Sequence, residues 1–361
     1  MKHLSILTAI ILAAAALMAS FQNCYACTGI TLKAKDGSTV VARTIEWAAS
    51  DNDCRWVVVP RGHSWKSFIP GGGTGRSFTN VYGYVGVSVV QDELMMEGMN
   101  EKGLSAGLFY FPDYGKYEEY SEANYETNIS DFQLVSYILG RCATVDEVKA
   151  EIARVHIHGF DPRSSTVHWR FAEPSGRQIV LEIIDGKCVF YENNLGVLTN
   201  SPSFDWQLTN LNNYVNLLPG RTEPHTIGNM SLSSFGGGSA MIGLPGDFTP
   251  PSRFVRAAFF QSTAPQKPDA EGSVFTAFHI LGSMEIPIGA QFPVGETPAD
   301  IPSATQCTCV TDMSGLRFYY RSMYDGGIRC IDLKEIDFKK IDLKSEPLVP
   351  SKKEFVHHIR F

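Results

Sequence analysis

Cys27 stands where one residue can supply both halves of a nucleophilic reaction. Residues 1–26 read as a secretory leader. Lys2 and His3 precede an apolar run over 4–19, and the small residues Cys24 and Ala26 flank Tyr25 at its end. Cleavage after Ala26 leaves Cys27 with a free α-amine beside its thiol. The thiolate is the nucleophile of a cysteine. An α-amine with its ordinary pKa of about 7.7–8.0 is suited to take the proton. A residue so equipped can open an amide if a pocket positions it. Lipidation also uses a cysteine at a new N-terminus, so an exported, non-catalytic lipoprotein anchored through Cys27 is the alternative of another class. Cys24-Tyr25-Ala26 lacks the usual Leu-small-small approach to a lipidated cysteine.

Three other places carry groups that such a reaction needs. Arg43-Thr44-Ile45-Glu46-Trp47 follows a hairpin signal, so Arg43 and Glu46 can return to the chain start. The arginine would favour thiolate and the acid would orient the amine. An ordinary surface ion pair explains the same two residues. Leu198-Thr199-Asn200-Ser201-Pro202 ends a strand with an amide that can donate to a developing oxyanion, or can simply form an Asx turn. Gly243-Leu244-Pro245-Gly246-Asp247 leads to Ser252-Arg253-Phe254, where Ser252 would cap a helix and Arg253 would point at a site. A capped helix with no further role accounts for it equally.

Other features point nowhere. His156 and His158 have no nearby Cys or carboxylate to complete a metal set, and Cys307-x-Cys309 matches neither a redox motif nor a zinc spacing. His225 sits in a loop, and His357 and His358 in a charged tail. Residues 71–75 form a glycine-rich loop without the Lys-Ser/Thr of a phosphate loop. No Gly-x-Ser-x-Gly elbow is present.

The elements that must position these groups alternate in blocks. Residues 28–33, 39–43 and 55–60 are strand-like, with Asp36-Gly37 as a hairpin turn. Residues 82–90 and 104–111 flank a turn-rich link over 98–103. Residues 131–140 have helical spacing, and Thr144 with Glu147 forms a capping box opening a helix to about 155. Strands follow at 165–172, 178–184 and 187–192. Residues 205–213, 253–261 and 275–284 are helix candidates, and strands return near 308–312, 316–320 and 327–332. Hairpin links imply antiparallel sheets whose outer faces helices must cover. The pattern predicts an α+β protein with two stacked sheets between helix layers, in a single domain over 27–361.

A hydrophobic content of 44% with 19% charged residues fits a globular protein. Apart from the leader, no stretch is long enough to span a bilayer. The net charge is −7 and losing Lys2 makes it more negative; with no basic run, nucleic-acid binding is not expected. Of eight cysteines, Cys24 leaves with the leader. Seven is an odd number, so an exported protein can pair six and keep one reactive thiol.

Together Cys27-Thr-Gly, Arg43-Thr-Ile-Glu-Trp47, Gly98-Met-Asn-Glu-Lys-Gly103, Leu198-Thr-Asn-Ser-Pro202, Phe204-Asp-Trp-Gln-Leu-Thr-Asn-Leu211 and Gly243-Leu-Pro-Gly-Asp247 with Ser252-Arg-Phe254 resemble the choloylglycine hydrolase family, which includes bile salt hydrolases and penicillin V acylases. The likeness covers nearly all of the chain after the leader, and the leader resembles that of a Gram-negative branch. It implies the four-layer αββα fold of N-terminal-nucleophile hydrolases, and hydrolysis of a linear amide C–N bond through a thioester. It implies Cys27 as nucleophile, Arg43 and Arg253 beside it, and Asn200 as an oxyanion donor. The backbone N–H groups of Phe109 and Tyr110 are candidates for the second donor. Glu46 stands where the family commonly has Asp. The aromatic side chain at the second donor, where many bile salt hydrolases have Asn, leans toward an aromatic or acyl-chain pocket. The resemblance implies no metal or cofactor, a small acyl amide as substrate, a periplasmic or secreted location, and a homo-oligomer, with a tetramer suggested. Penicillin V, conjugated bile salts and N-acyl homoserine lactones are all within reach of such a fold.

Overall fold

Asp36 and Gly37 turn the chain between β1 (Tyr25–Lys33) and β2 (Thr39–Trp47), which pair antiparallel with Cys27 opposite Ile45 and Gly29 opposite Arg43. The structure is a computed structural model describing residues 25–159, 161, 165–293, 295–298, 301–353, 355–356 and 358–360. Residues 1–24 of the expected leader, and His357, lie outside the described residues.

The remaining strands continue in chain order. They are β3 (Arg55–Val59), β4 (Ser64–Ile69), β5 (Gly73–Thr79), β6 (Tyr84–Ser88), β7 (Met95–Asn100), β8 (Ser105–Tyr110), β9 (Asn128–Ser130) and β10 (His156–His158). Then come β11 (Val167–Ala172), β12 (Gln178–Ile184), β13 (Lys187–Glu192), β14 (His225–Ile227), β15 (Met230–Leu232), β16 (Thr305–Asp312), β17 (Arg317–Ser322), β18 (Arg329–Asp332) and β19 (Lys344–Pro347). One sheet has the order β1-β2-β16-β17-β18, and the other β13-β12-β11-β8-β7-β6-β3-β19. The helices are α1 (Leu134–Leu139), α2 (Val145–Ile152), α3 (Phe204–Asn210), α4 (Pro250–Thr263) and α5 (Ala270–Gly282).

Strand alternation sorts the side chains into layers. Val41 and Ile45 face the larger sheet and pack with Val58, Val85, Val87, Met99 and Phe318. Val40 and Ala42 point the other way, where Phe254, Ala257, Val274 and Phe278 of α4 and α5 cover them. Helices α1 and α2 cover the far face of the larger sheet through Leu134, Ile138, Val145 and Val148. The result is the expected αββα stack. Among the described residues no helix is long and apolar enough to cross a membrane.

Several local expectations need correction. Half of the 98–103 link, residues 98–100, is the end of β7, and only residues 101–103 turn. Asn100 makes the turn: its side-chain oxygen accepts from the N–H groups of Lys102 and Leu104, and its amide donates to the carbonyls of Leu139 and Cys142. The glycine-rich 71–75 stretch is a hairpin turn running into β5. Helix α4 starts at Pro250 after Thr249, so Ser252 lies within its first turn and donates to Asp247 rather than capping. Helix α5 starts at Ala270, five residues early, because Asp269 caps it by accepting from the Gly272 N–H. The seven described cysteines are all free thiols. The two exposed ones, Cys188 on β13 and Cys330 on β18, sit on the outer strands of different sheets.

The capping box at α2 is as read: Thr144 accepts from the Glu147 N–H at 3.2 Å, while the Glu147 carboxylate reaches the Ala143 N–H at 2.6 Å. Thr144→Ala should cost about 1 kcal/mol of stability. Urea denaturation of both proteins checks this, and an unchanged midpoint would mean the cap is dispensable.

Candidate active site

β1 is the open edge of the smaller sheet, and its outer side is not left bare. Gly29 and Leu198 exchange backbone hydrogen bonds at 2.6 and 3.1 Å, so the segment after β13 runs antiparallel to the start of β1. Two residues further along each chain, this pairing sets Asn200 beside Cys27. The Cys27 N–H donates to Asn200 Oδ1 at 2.9 Å. Asn200 Nδ2 donates to the Tyr110 carbonyl at 2.8 Å, which ties the site to β8. Close packing here depends on Gly29, where an added Cβ would lie 3.1 Å from both the Phe109 ring and the Arg170 guanidinium.

Arg43 and Glu46 are not a surface pair. Three residues apart on a strand, they leave β2 from opposite faces, and both are buried. Arg43 enters the space between the sheets and places Nη2 2.7 Å from Cys27 Sγ. Its other donors bind the carbonyls of Thr44, Met96 and Leu108, and the Phe109 ring lies 4.0 Å beneath the guanidinium. Arg253, at the start of α4, approaches the opposite face of β1. It donates to the Cys27 carbonyl at 2.5 Å, to Thr28 Oγ1 at 2.8 Å and to Asn200 Oδ1 at 2.7 Å. All five residues expected from the sequence therefore converge on the head of β1.

The second-donor candidates separate. The Tyr110 N–H is hydrogen-bonded to the Cys27 thiol, whereas Phe109 contributes its ring, under Arg43. The thiol itself is held above its ordinary range. Burial is the largest cause and outweighs Arg43, which pulls the other way; Glu46 raises it, and Arg253 and the Tyr110 N–H lower it. This holds with residues 25 and 26 in place, paired with Trp47 and Glu46 as an extension of β1, and with Ala26 buried among Ala48, Ile286 and Ala304.

A further buried set braces the segment that carries Asn200. His168 Nδ1 faces the Glu182 carboxylate and Nε2 faces the Thr199 carbonyl, each at 3.1 Å, with the Phe111 ring stacked on the imidazole. Glu182 also accepts from the Phe204 N–H at 2.9 Å. Both imidazole nitrogens thus meet oxygens. The sequence reading missed His168, Glu182, Glu97 and Arg170. Their signal was a polar or charged residue inside a strand otherwise suited to full burial, as in Trp169-Arg170-Phe171. Among the described residues no group of three or more His, Cys, Asp or Glu is placed to hold a metal ion.

Two antiparallel sheets between helix layers, with this cluster at the head of an edge strand, make the fold that of the N-terminal-nucleophile hydrolases. The chain belongs to the choloylglycine hydrolase family of linear amide C–N hydrolases, whose profile matches residues 27–346 and begins at Cys27. It is 31% identical over 326 residues to a bile salt hydrolase/transferase of Clostridium perfringens, covering 88% of this chain and 96% of that one. It is 28% identical over 328 residues to a penicillin V acylase of Pectobacterium atrosepticum, covering 83% and 78%. A crystal structure of a conjugated bile acid hydrolase variant from Clostridium perfringens superposes with a TM-score of 0.79 at 29% identity, covering 92% of this chain and 100% of that one. A penicillin V acylase structure from Agrobacterium tumefaciens shares the fold, with a TM-score of 0.71 at 23% identity. The protein is a linear amide hydrolase.

Glu46 gives the site a measurable electrostatic signature. Burial pushes its carboxyl from 4.5 to about 7, against the pull of Arg253, Thr44, Arg43 and Thr305. One oxygen accepts from Thr305 Oγ1 at 3.2 Å and the other is buried without a hydrogen bond. Between pH 4.5 and about 7 the folded chain holds this proton more tightly than the unfolded one. Stability therefore falls as pH rises through that window. In the unprocessed chain, Glu46→Gln should remove about 2–3 kcal/mol of the stability lost between pH 5 and pH 8. Urea titrations at both pH values test this; equal losses in the two proteins would show that Glu46 ionises normally.

Proposed function

We propose that Cys27 is the nucleophile of this amide hydrolase and that removal of residues 1–26 makes it one. The observation that carries the reading is the convergence of Arg43, Glu46, Asn200 and Arg253 on a single cysteine, at the residue where the family profile begins. Cleavage after Ala26 turns the Cys27 N–H into an α-amine. Asn200 Oδ1 already accepts from that nitrogen, and Glu46, opposite Ala26, offers a buried carboxylate to the ammonium form. Loss of Ala26 also opens the thiol to water and substrate, which removes much of the burial that holds it protonated.

The reaction then runs in two halves. The amine takes the thiol proton and the sulfur attacks the acyl carbon. The tetrahedral oxyanion receives the Tyr110 N–H and the second N–H of Asn200, a donor of this kind being worth about 3–4 kcal/mol. The C–N bond breaks as the α-ammonium protonates the leaving amine, leaving a thioester. Water, deprotonated by the same α-amine, releases the acid. Arg43 holds the sulfur, and Arg253 holds Asn200 and the Cys27 carbonyl.

The substrate is a small acyl amide of the penicillin V or conjugated bile salt type, with N-acyl homoserine lactones as the alternative for the same chemistry. An aromatic side chain at position 110 favours an aryl or alkyl acyl group. Export to the periplasm or medium supplies the processing, and one domain over 27–361 carries the chemistry. The hairpin β14–β15 and its flanks expose Val215, Leu218, Ile227, Met230, Phe235 and Ile242, with Phe235 fully exposed. This arm suits a second copy of the chain, in keeping with a homo-oligomer.

Mature protein should release amine from at least one of the three substrate classes, and Cys27→Ser should lower that rate by about a thousandfold or more. A Cys27→Ser protein at wild-type rate would sink the reading, as would a mature N-terminus upstream of Cys27. Mass spectrometry of that terminus also separates the enzyme, with a free Cys27 amine, from a lipoprotein carrying diacylglyceryl-Cys27. Sedimentation should give a multiple of the monomer mass that Phe235→Lys with Met230→Lys reduces; a wild-type monomer would refute the assembly.

A further inference from the structure

Beneath Cys27 lies a row of residues from three neighbouring strands. Glu97 of β7 stands opposite Gly107 of β8, and Gly107 stands opposite Arg170 of β11. Gly107 has no side chain, and the Glu97 carboxylate lies over it; a Cβ there would be 1.9 Å from Glu97 Oε2. Across the gap Glu97 Oε1 meets Arg170 Nη2 at 2.6 Å and accepts from Ser105 Oγ at 3.2 Å. Oε2 makes no hydrogen bond and faces Arg43 Nη1 at 3.8 Å. The two guanidiniums share the Phe109 ring, with centroid distances of 4.0 and 5.6 Å.

Counting buried charge gives this row a purpose. Arg43, Arg170 and Arg253 are fully buried, and the carboxylates beside them are Glu97 and Glu46. With both acids ionised, three cations face two anions. The Cys27 thiolate is the third anion. Buried charges are tolerated only when matched.

We propose that Glu97 is a positioning residue for Cys27, anchoring Arg43 below the sulfur and, with Arg170, setting the charge under which the thiol ionises. The proposal rests on Cys27 as nucleophile. The groups facing the thiol are Arg43 and Glu46 from β2, Arg253 from α4 and the Tyr110 N–H from β8. Besides the Cys27 thiol, those acting on Arg43 and Arg170 are Glu97, Glu46 and the Cys309 thiol of β16, and Ser105 donates to Glu97. Among the described residues Glu97 is the one carboxylate paired with both guanidiniums, so removing it leaves the region more positive. Removing Arg170 does the reverse and lets Glu97 draw Arg43 away from the sulfur.

The test follows iodoacetamide alkylation of Cys27 against pH in the mature enzyme, read by mass on the Cys27 peptide. Glu97→Gln should move the inflection down by about one pH unit, and Arg170→Gln should move it up by a similar amount. The double variant Glu97→Gln/Arg170→Gln, which loses one charge of each sign, should return it to the wild-type position. Glu97→Asp keeps the charge but shortens the anchor, so it should keep the inflection and lower kcat with KM unchanged. If Glu97→Gln does not fold, the upward shift of Arg170→Gln and its reversal in the double variant carry the test. Inflections that ignore both charge changes would overturn the proposal, because a purely structural ion pair would alter stability alone. That outcome with an inactive Cys27→Ser refutes only this inference, whereas an active Cys27→Ser refutes the nucleophile itself.

Discussion

A guanidinium cannot stay charged inside a protein without partners that replace its water. Arg43 is fully buried and cannot shed its proton, so its surroundings must be built for it. Backbone carbonyls from β2, β7 and β8 take three of its contacts, an aromatic face lies below it, and a carboxylate is close by. One direction is left, and the Cys27 sulfur fills it. On the proposed reading, the reactivity of the cysteine follows from the needs of the arginine. A site so enclosed offers that last position to an anion, and the thiol is the group there that can become one.

The same economy explains why the site lies at the head of an edge strand. An edge has unsatisfied backbone groups on one side, and proteins usually hide or pair them. Here the pairing is a single Gly29–Leu198 bridge rather than a full strand. That is enough to set the register of Asn200 against Cys27 while leaving the chain beyond it free to turn into α3. The two faces of β1 then serve different partners. The sulfur faces the larger sheet and Arg43. The backbone and Thr28 face α4, where Arg253 binds the Cys27 carbonyl, Thr28 and Asn200 together. A residue inside a sheet could not be reached from both layers and from its own edge at once.

Much of this is legible in the sequence, because the turns and caps act locally. Asp36-Gly37 and the Thr144 capping box each fix their element with residues a few positions apart. The site residues stand out because their order and spacing match a family. What the sequence hides is determined by strand pairing. Glu97 and Arg170 are 73 residues apart and meet only because β7, β8 and β11 are neighbours with Gly107 between them. The alternation that would expose Glu97 as an outlier is blurred by Gly98 and the three methionines of β7. Helix starts at 250 and 270 were read late because their first turns are polar or carry Pro, and tertiary contact with β1 and β16 compensates. A surface ion pair accounts for Arg43 and Glu46 equally well in the sequence, because two opposite charges three apart carry no sign of burial. On a strand, the same interval sends them to opposite layers.

On the proposed reading, removal of residues 1–26 has an electrostatic consequence as well as a chemical one. With Ala26 in place, the nitrogen of Cys27 is a neutral amide, the thiol is buried, and the Glu46 carboxyl is pushed up to about 7. On the proposed reading, cutting after Ala26 changes all three. It creates an amine that can become a cation beside Glu46, which draws that carboxyl back toward ionisation. It exposes the sulfur and lowers the cost of its charge. It also leaves the apolar space between Ala48, Ile286 and Ala304 without its occupant. Arg43, Arg253 and the Tyr110 N–H already face the thiol in the uncut chain, with Glu46 beside it. On the proposed reading the frame for a thiolate precedes the cut, and what processing adds is the base and the opening. On the proposed reading, a chain built this way keeps Cys27 protonated and covered until residues 1–26 are gone.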